Sequence, residues 1–310
     1  SIALVRGIVQ GFKNAGYKVG GFNSCFTSDV IAAAGVSSSA SFEMMICAIL
    51  NILFNDGKIP LAKLVAIGQF AENAYWDKAS GQLDQTACAA GGIICIDFEN
   101  KEEPLTRKVN FDFAAAGYTM MLVVTGKGHA DLSAEYSAVP QEMKAVASFF
   151  GQDTLRGLSF EDITKNLPAL REKFGDRAVM RSLHFFEENV RVEKEIEALE
   201  KGDFDSFLKL VEASGNSSWK WLQNICVPGV AEEQPMAICL ALSVHFIRTH
   251  NKGACRLHGG GFAGVIQAFI PNELADEYVE YMNTALNGGK DGKNNVYRMT
   301  IRPLGTIEIC

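Results

Sequence analysis

The chain has 310 residues, 48% of them hydrophobic and 21% charged, with a formal net charge of −7; that is enough apolar material for one large domain or two smaller ones. The acidic balance and the lack of a basic block argue against a nucleic-acid partner. The longest apolar run, Met44 to Phe54, is too short to cross a bilayer, and SIALVRGIVQGF has no signal-peptide architecture, so a cytoplasmic protein without a membrane partner is expected.

Ile2, Val5, Ile8, Val9 and Phe12 recur at helical spacing and predict a helix over 2–14. Phe22 to Val30 alternates loosely and predicts a short strand. Ser38 to Phe54 predicts an apolar helix closed by Asn55-Asp56-Gly57, and Leu61 to Trp76 a second. GGIICIDF predicts a strand, and the charged residues 99–108 with Pro104 a surface loop or linker. Tyr118–Gly126 predicts a buried strand. Residues 131–150 and 160–212 predict helices charged on one face, and Pro235 to Thr249 a buried helix. GACRLHGGGFAGVIQAFIP predicts a strand, a glycine loop and a second strand or helix; VYRMTIRPLG predicts a closing strand. Helices and strands mix without regular alternation, which predicts an α+β fold.

The eight cysteines form no C-x-x-C pair and the five histidines no ligand spacing, which argues against a zinc cluster. Most cysteines lie in apolar runs, as reduced core residues do.

Three segments carry candidate chemistry. The first is Gly35-Val36-Ser37-Ser38-Ser39-Ala40, directly before an apolar helix. One serine suffices for a cap; three beside a glycine also suit an anion held by amides at a helix N-terminus, and a serine hydroxyl can ligate Mg²⁺. The sequence lacks the lysine of a G-x-x-x-x-G-K-S/T loop. The second is AENAYWDKASGQLDQTACAAGG, where Glu72 and Asp84 supply two carboxylates. Phosphoryl transfer needs one to hold a metal and one beside the nucleophilic hydroxyl, although taken alone Glu72 reads as exposed and Asp84 as a turn cap. The third is Gly259–Gly261, three glycines between apolar segments, which favour close approach to a ligand or another loop over packing.

Taken in order, GVSSSASFE, AEN…GQLDQ and HGGGFAG resemble the motifs of the GHMP small-molecule kinases, above all the galactokinase branch with its G-L-S-S-S-A, A-E…G-I-M-D-Q and T-G-G-G-F-G-G segments. SAEYSAVPQEM and EALEKGDFDSFLKLVEAS resemble two further galactokinase segments. The resemblance implies a two-domain fold: an N-terminal domain like ribosomal protein S5 domain 2, here over 1–108 and missing its N-terminal strands, and a ferredoxin-like C-terminal domain over 109–310. It implies that Gly35, Val36, Ser37, Ser38, Ser39 and Ala40 wrap the phosphates of ATP. Ser39 and Glu72 would ligate Mg²⁺, and Asp84 would be base or orienter at a sugar's anomeric hydroxyl. Gly81 and Tyr136 would line the sugar pocket, and Gly259–Gly261 would brace the phosphate loop.

The family's G-R-V-N-L-I-G-E-H-T-D-Y motif is absent and belongs upstream of Ser1, so the expectation is a partial protein with little kinase activity by itself. Ile31 and Ala33 replace a proline and a glycine of the family pattern, His258 a threonine, Ala263 a glycine, and Val139-Pro140 an arginine pair. The expected partners are a sugar and ATP, and the expected state a monomer or weak homodimer. The alternatives are another GHMP kinase, or a sugar sensor that binds ATP without turnover; the intact serines and both carboxylates favour an enzyme.

Overall fold

The computed structural model describes residues 2–30, 35–76, 80–100, 103–126, 132–288 and 294–309; Ile31 and Ala33 lie outside them. The chain forms two compact units. The first gathers Ser1–Ala32, Val36–Asn110 and Ile301–Cys310, the second Ala33–Gly35 and Phe111–Thr300.

The first unit contains helices α1 (Ile2–Asn14), α2 (Ser38–Asn55), α3 (Leu61–Tyr75) and α4 (Leu83–Ala90), then strands β1 (Ile93–Asp97) and β2 (Leu105–Val109). Helix α1 presents Gly7 and Gly11 to α3. A Cβ on Gly7 would stand 2.7 Å from Cα of Ala71, and one on Gly11 2.9 Å from Ile67, so the glycine pair is what lets the two backbones approach. Ile8, Phe12, Met44, Cys47, Leu50 and Val65 form the core. Helix α2 ends where Asp56 and Gly57 turn into the left-handed region at φ 55° and 68°.

Three expectations change here. Residues 22–30 form no regular element. They are rich in Asn, Ser, Asp and Thr and pair with no strand among the described residues, and the alternation alone does not fix a conformation. Leu105–Val109, expected as loop or linker, is strand β2, antiparallel to β1 with Ile93 opposite Val109 and Asp97 opposite Leu105. Its side chains are mostly exposed, so the apolar alternation that betrays a half-buried strand is missing. Helix α2 exceeds the apolar run inside it: its 18 residues are long and apolar enough to cross a membrane by length and composition alone. It also carries Glu43 and Asn51, both buried against the unit's other elements.

The second unit contains strand β3 (Tyr118–Val124), helices α5 (Ser133–Phe149), α6 (Phe160–Lys165), α7 (Leu167–Glu200), α8 (Phe204–Ser217) and α9 (Pro235–His250), strands β4 (Ala254–Leu257) and β5 (Val265–Pro271), helix α10 (Ala275–Asn287) and strand β6 (Val296–Met299). The sheet order is β4-β5-β3-β6, and every pair is antiparallel. With helices between β3 and β4 and between β5 and β6, this is the β-α-β-β-α-β arrangement of ferredoxin-like folds. Alternation along β5 separates the two faces. Ala268 and Ile270 join the core with Met236 and Tyr278 of α9 and α10, while Phe269 meets Phe113, Phe204 and Phe207 on the other side. Helix α7 breaks at Gly175, whose φ of 81° is not helical.

Candidate active site

Helix α2 begins at Ser38, with Ser37 at the N-cap in the left-handed region, φ 57°, and no capping bond from its side chain. The cap reading therefore fails for Ser37. Gly35, with φ 79°, precedes it. The first intrahelical bond runs from the Ser41 N–H to the Ser37 carbonyl, so the amides of Ser38, Ser39 and Ala40 come before the helical ladder. Such amides at the positive end of a helix are suited to an anion.

Ser39 lies one turn before Glu43 on the same face of α2. Its hydroxyl donates to Oε1 of Glu72, 2.6 Å away, on the last turn of α3. From α4, the side-chain amide of Gln85 donates to Oε2 of Glu43 at 3.0 Å and to Oε2 of Glu72 at 3.2 Å. Glu43, Glu72 and Gln85 are 0%, 1% and 0% exposed, so this is a buried junction of three helices. Two buried carboxylates sharing one amide repel each other unless a cation or a proton relieves them. The oxygen donors of Ser39 and Glu72 suit a hard cation such as Mg²⁺. Among the described residues, no group of three or more His, Cys, Asp or Glu side chains is arranged to hold a metal.

Asp84 sits on the first turn of α4, one residue before Gln85, and is half-buried. Cys88, one turn further along α4, is pushed up to about 11 by burial, with smaller contributions from the charges of Asp84 and Glu43. Burial likewise raises the Cys47 thiol on α2, and Glu43 adds to the effect. Gly81 is exposed with open space around it. The turn before α4 is tied to α3: Gln69 donates to the Ser80 carbonyl at 2.9 Å and accepts from Gln82 at 3.0 Å.

Tyr136 lies on α5 in the second unit. Its hydroxyl donates to the Gly261 carbonyl at 2.7 Å, and burial raises it to about 12. Asn224 holds the same glycine loop: its backbone carbonyl accepts from Phe262 N–H, and its side-chain amide donates to the Gly260 carbonyl at 3.0 Å. A Cβ on Gly260 would lie 2.8 Å from the Tyr136 ring, and one on Gly261, at φ 86°, would lie 2.1 Å from the Asn224 carbonyl oxygen. These close approaches explain two of the three glycines. His258, at the end of β4, bonds Gln267 at 3.0 Å.

Sequence reasoning assigned no role to Glu43, Gln85 or Asn224. For Glu43 the signal was a carboxylate four residues after Ser39 in an otherwise apolar helix. For Gln85 it was a place beside Asp84. Asn224 gave none, because its partners are 36 residues away.

Residues 3–92 match the family described as GHMP kinases N terminal domain. The galactokinase of Glaesserella parasuis serovar 5 (strain SH0165) is 29% identical over 276 residues, which cover 88% of this chain and 67% of that protein. The galactokinase of Streptomyces coelicolor is 30% identical, over 84% of this chain and 64% of that one. Over residues 3–92 the chain is similar to GHMP kinases, and over most of its length it is similar to these galactokinases. It spans about two thirds of the length of these galactokinases. The crystal structure of Lactococcus lactis galactokinase complexed with galactose superposes with a TM-score of 0.76 at 23% identity, covering 97% of this chain and 75% of that one. L. major mevalonate kinase in complex with R-mevalonate gives 0.57 at 16% identity, over 98% of this chain and 77% of that one. These structures share its α+β fold.

Proposed function

We propose that the protein containing this chain is an ATP-dependent sugar 1-kinase of the galactokinase type. The observation that carries the reading is the buried junction of Ser39, Glu72 and Gln85, with Asp84 adjacent to Gln85 on the same short helix. The galactokinase relatives supply the sugar.

In this reading the amides of Gly35–Ala40 hold the ATP phosphates at the α2 N-terminus. Ser39 and Glu72 would hold Mg²⁺, which when bound neutralises phosphate charge. Asp84 takes the proton of the sugar's anomeric hydroxyl, or orients that hydroxyl, as its oxygen forms a bond to the γ-phosphorus. The bond from that phosphorus to the bridging oxygen breaks, and ADP leaves. Gly81 and Tyr136 contribute to sugar binding by their correspondence with the family's motifs.

The test is ADP release across a panel of sugars, with wild type compared with Asp84→Asn. Loss of general-base catalysis lowers kcat by about a hundredfold or more while nucleotide binding persists. Unaltered turnover in the variant removes Asp84 from the chemistry, and release with a non-sugar alcohol alone points to another GHMP kinase specificity.

A further inference from the structure

After β6 the chain enters the first unit, and residues 302–306 grip the C-terminal end of α4. The Gly92 N–H donates to the Arg302 carbonyl at 2.8 Å, and the Thr306 N–H donates to the Ala89 carbonyl at 3.2 Å. The Thr306 hydroxyl donates to the Cys88 carbonyl at 3.3 Å. The last carbonyls of a helix lack intrahelical donors; here Ala87 is served by Gly91 N–H, while Cys88 and Ala89 are served by Thr306. The fit leaves no room for a side chain. A Cβ on Gly305 would lie 1.9 Å from the Ala89 carbonyl oxygen, and one on Gly91 2.2 Å from the Gly305 nitrogen.

Helix α4 has eight residues, too few to hold itself in place by helical propensity. Its placement rests on what grips it. Near its start that is Gln85, bound to Glu43 and Glu72; at its end Ala89 and Cys88 pack against the apolar core, and the tail supplies the hydrogen bonds. Thr306 and Ala89, with Ile307, Glu308, Ile52 and Leu61, border a cavity of about 340 Å³, and the tail's hydrogen bonds to residues 88–92 are made by Arg302 and Thr306.

We propose that residues 302–306 are a latch that sets the position of Asp84 through α4, with Gly305 and Thr306 as positioning residues. The proposal rests on the reading of Asp84 as the group that meets the sugar hydroxyl. It assigns a catalytic consequence to a segment that touches no reacting atom, because small displacements of a catalytic group are costly to rate.

The experiment compares wild type, Gly305→Ala, Thr306→Val and Thr306→Ser in the whole protein, reading amide exchange over residues 83–92 and steady-state kinetics. Gly305→Ala and Thr306→Val should speed exchange in that segment and lower kcat by about tenfold, with KM for sugar and ATP within about twofold. Thr306→Ser, which keeps the hydroxyl, should stay near wild type in both. Unchanged exchange at 83–92 in both disruptive variants overturns the latch. Faster exchange with unchanged kcat overturns its catalytic role, as does a proportional rise in KM. Failure of the underlying reading shows separately, as full turnover by Asp84→Asn.

Discussion

The Ser39 hydroxyl donates to Oε1 of Glu72 across 2.6 Å and so joins the first turn of α2 to the last turn of α3. Thirty-three residues separate them in sequence, yet this bond turns a serine-rich loop and a distant carboxylate into one oxygen-rich corner. Replacing Ser39 with Ala removes a hydrogen bond to a charged group and should destabilise the fold by about 1–3 kcal/mol. The same variant should weaken Mg²⁺-dependent nucleotide binding. Calorimetric titration with the nucleotide, with and without Mg²⁺, reads this directly; equal affinities for wild type and variant would remove Ser39 from the metal site.

Gln85 is the amide between two buried carboxylates, and Gln85→Glu changes little in shape but sets a third carboxyl against Glu43 and Glu72. At pH 7 the cost should be about 3–5 kcal/mol, the penalty for an uncompensated buried charge. Protonation relieves it, so the difference from wild type should shrink as pH falls toward 5. Urea unfolding at the two pH values measures both; a pH-independent difference contradicts the account.

Between α7 and α8, two titrating groups push stability in opposite directions. Burial lowers His184, bonded to the Ser217 hydroxyl at 2.8 Å, from 6.5 to about 4. Its neutral form is favoured in the fold, so its contribution is full above pH 6.5 and is lost as pH falls through 4. Burial raises Glu195 from 4.5 to about 7; its contribution is full below pH 4.5 and is lost as pH rises through 7. Each amounts to about 3 kcal/mol at most, and between pH 4.5 and 6.5 the two slopes oppose. Wild-type stability should be nearly flat there as far as these groups decide it. Glu195→Gln should unmask stability that rises with pH, and His184→Gln stability that falls; parallel curves for the two variants would refute the assignment.

Gly261→Ala places a methyl against the Asn224 carbonyl at a left-handed backbone position. The loop must then open, and the variant should lose more stability than Tyr136→Phe, which deletes one hydrogen bond at about 1 kcal/mol. Thermal unfolding of the two variants ranks them, and the reverse order would mean that the loop is held mainly by the tyrosine.

The sequence by itself determined the helices and the buried strands. Their apolar periodicity records burial, and in β3 the consecutive residues Met121, Leu122 and Val123 are all buried, so both faces are covered over that stretch. It also carried the resemblance to the GHMP kinases, because the serine loop, the Glu72–Asp84 pair and the glycine loop each keep a compact local pattern. Only the tertiary structure decided which of these residues touch. Strand β2 was hidden because its exposed side chains carry no alternation and its partner is β1. Glu43 and Gln85 joined the candidate site only when α2, α3 and α4 converged. The return of residues 301–309 to α4 left no local mark either, because its hydrogen bonds run through backbone carbonyls that every residue possesses. Periodicity reports what a residue is buried against in general; hydrogen bonds between distant segments depend on the packing of whole elements, and no short stretch of sequence encodes that.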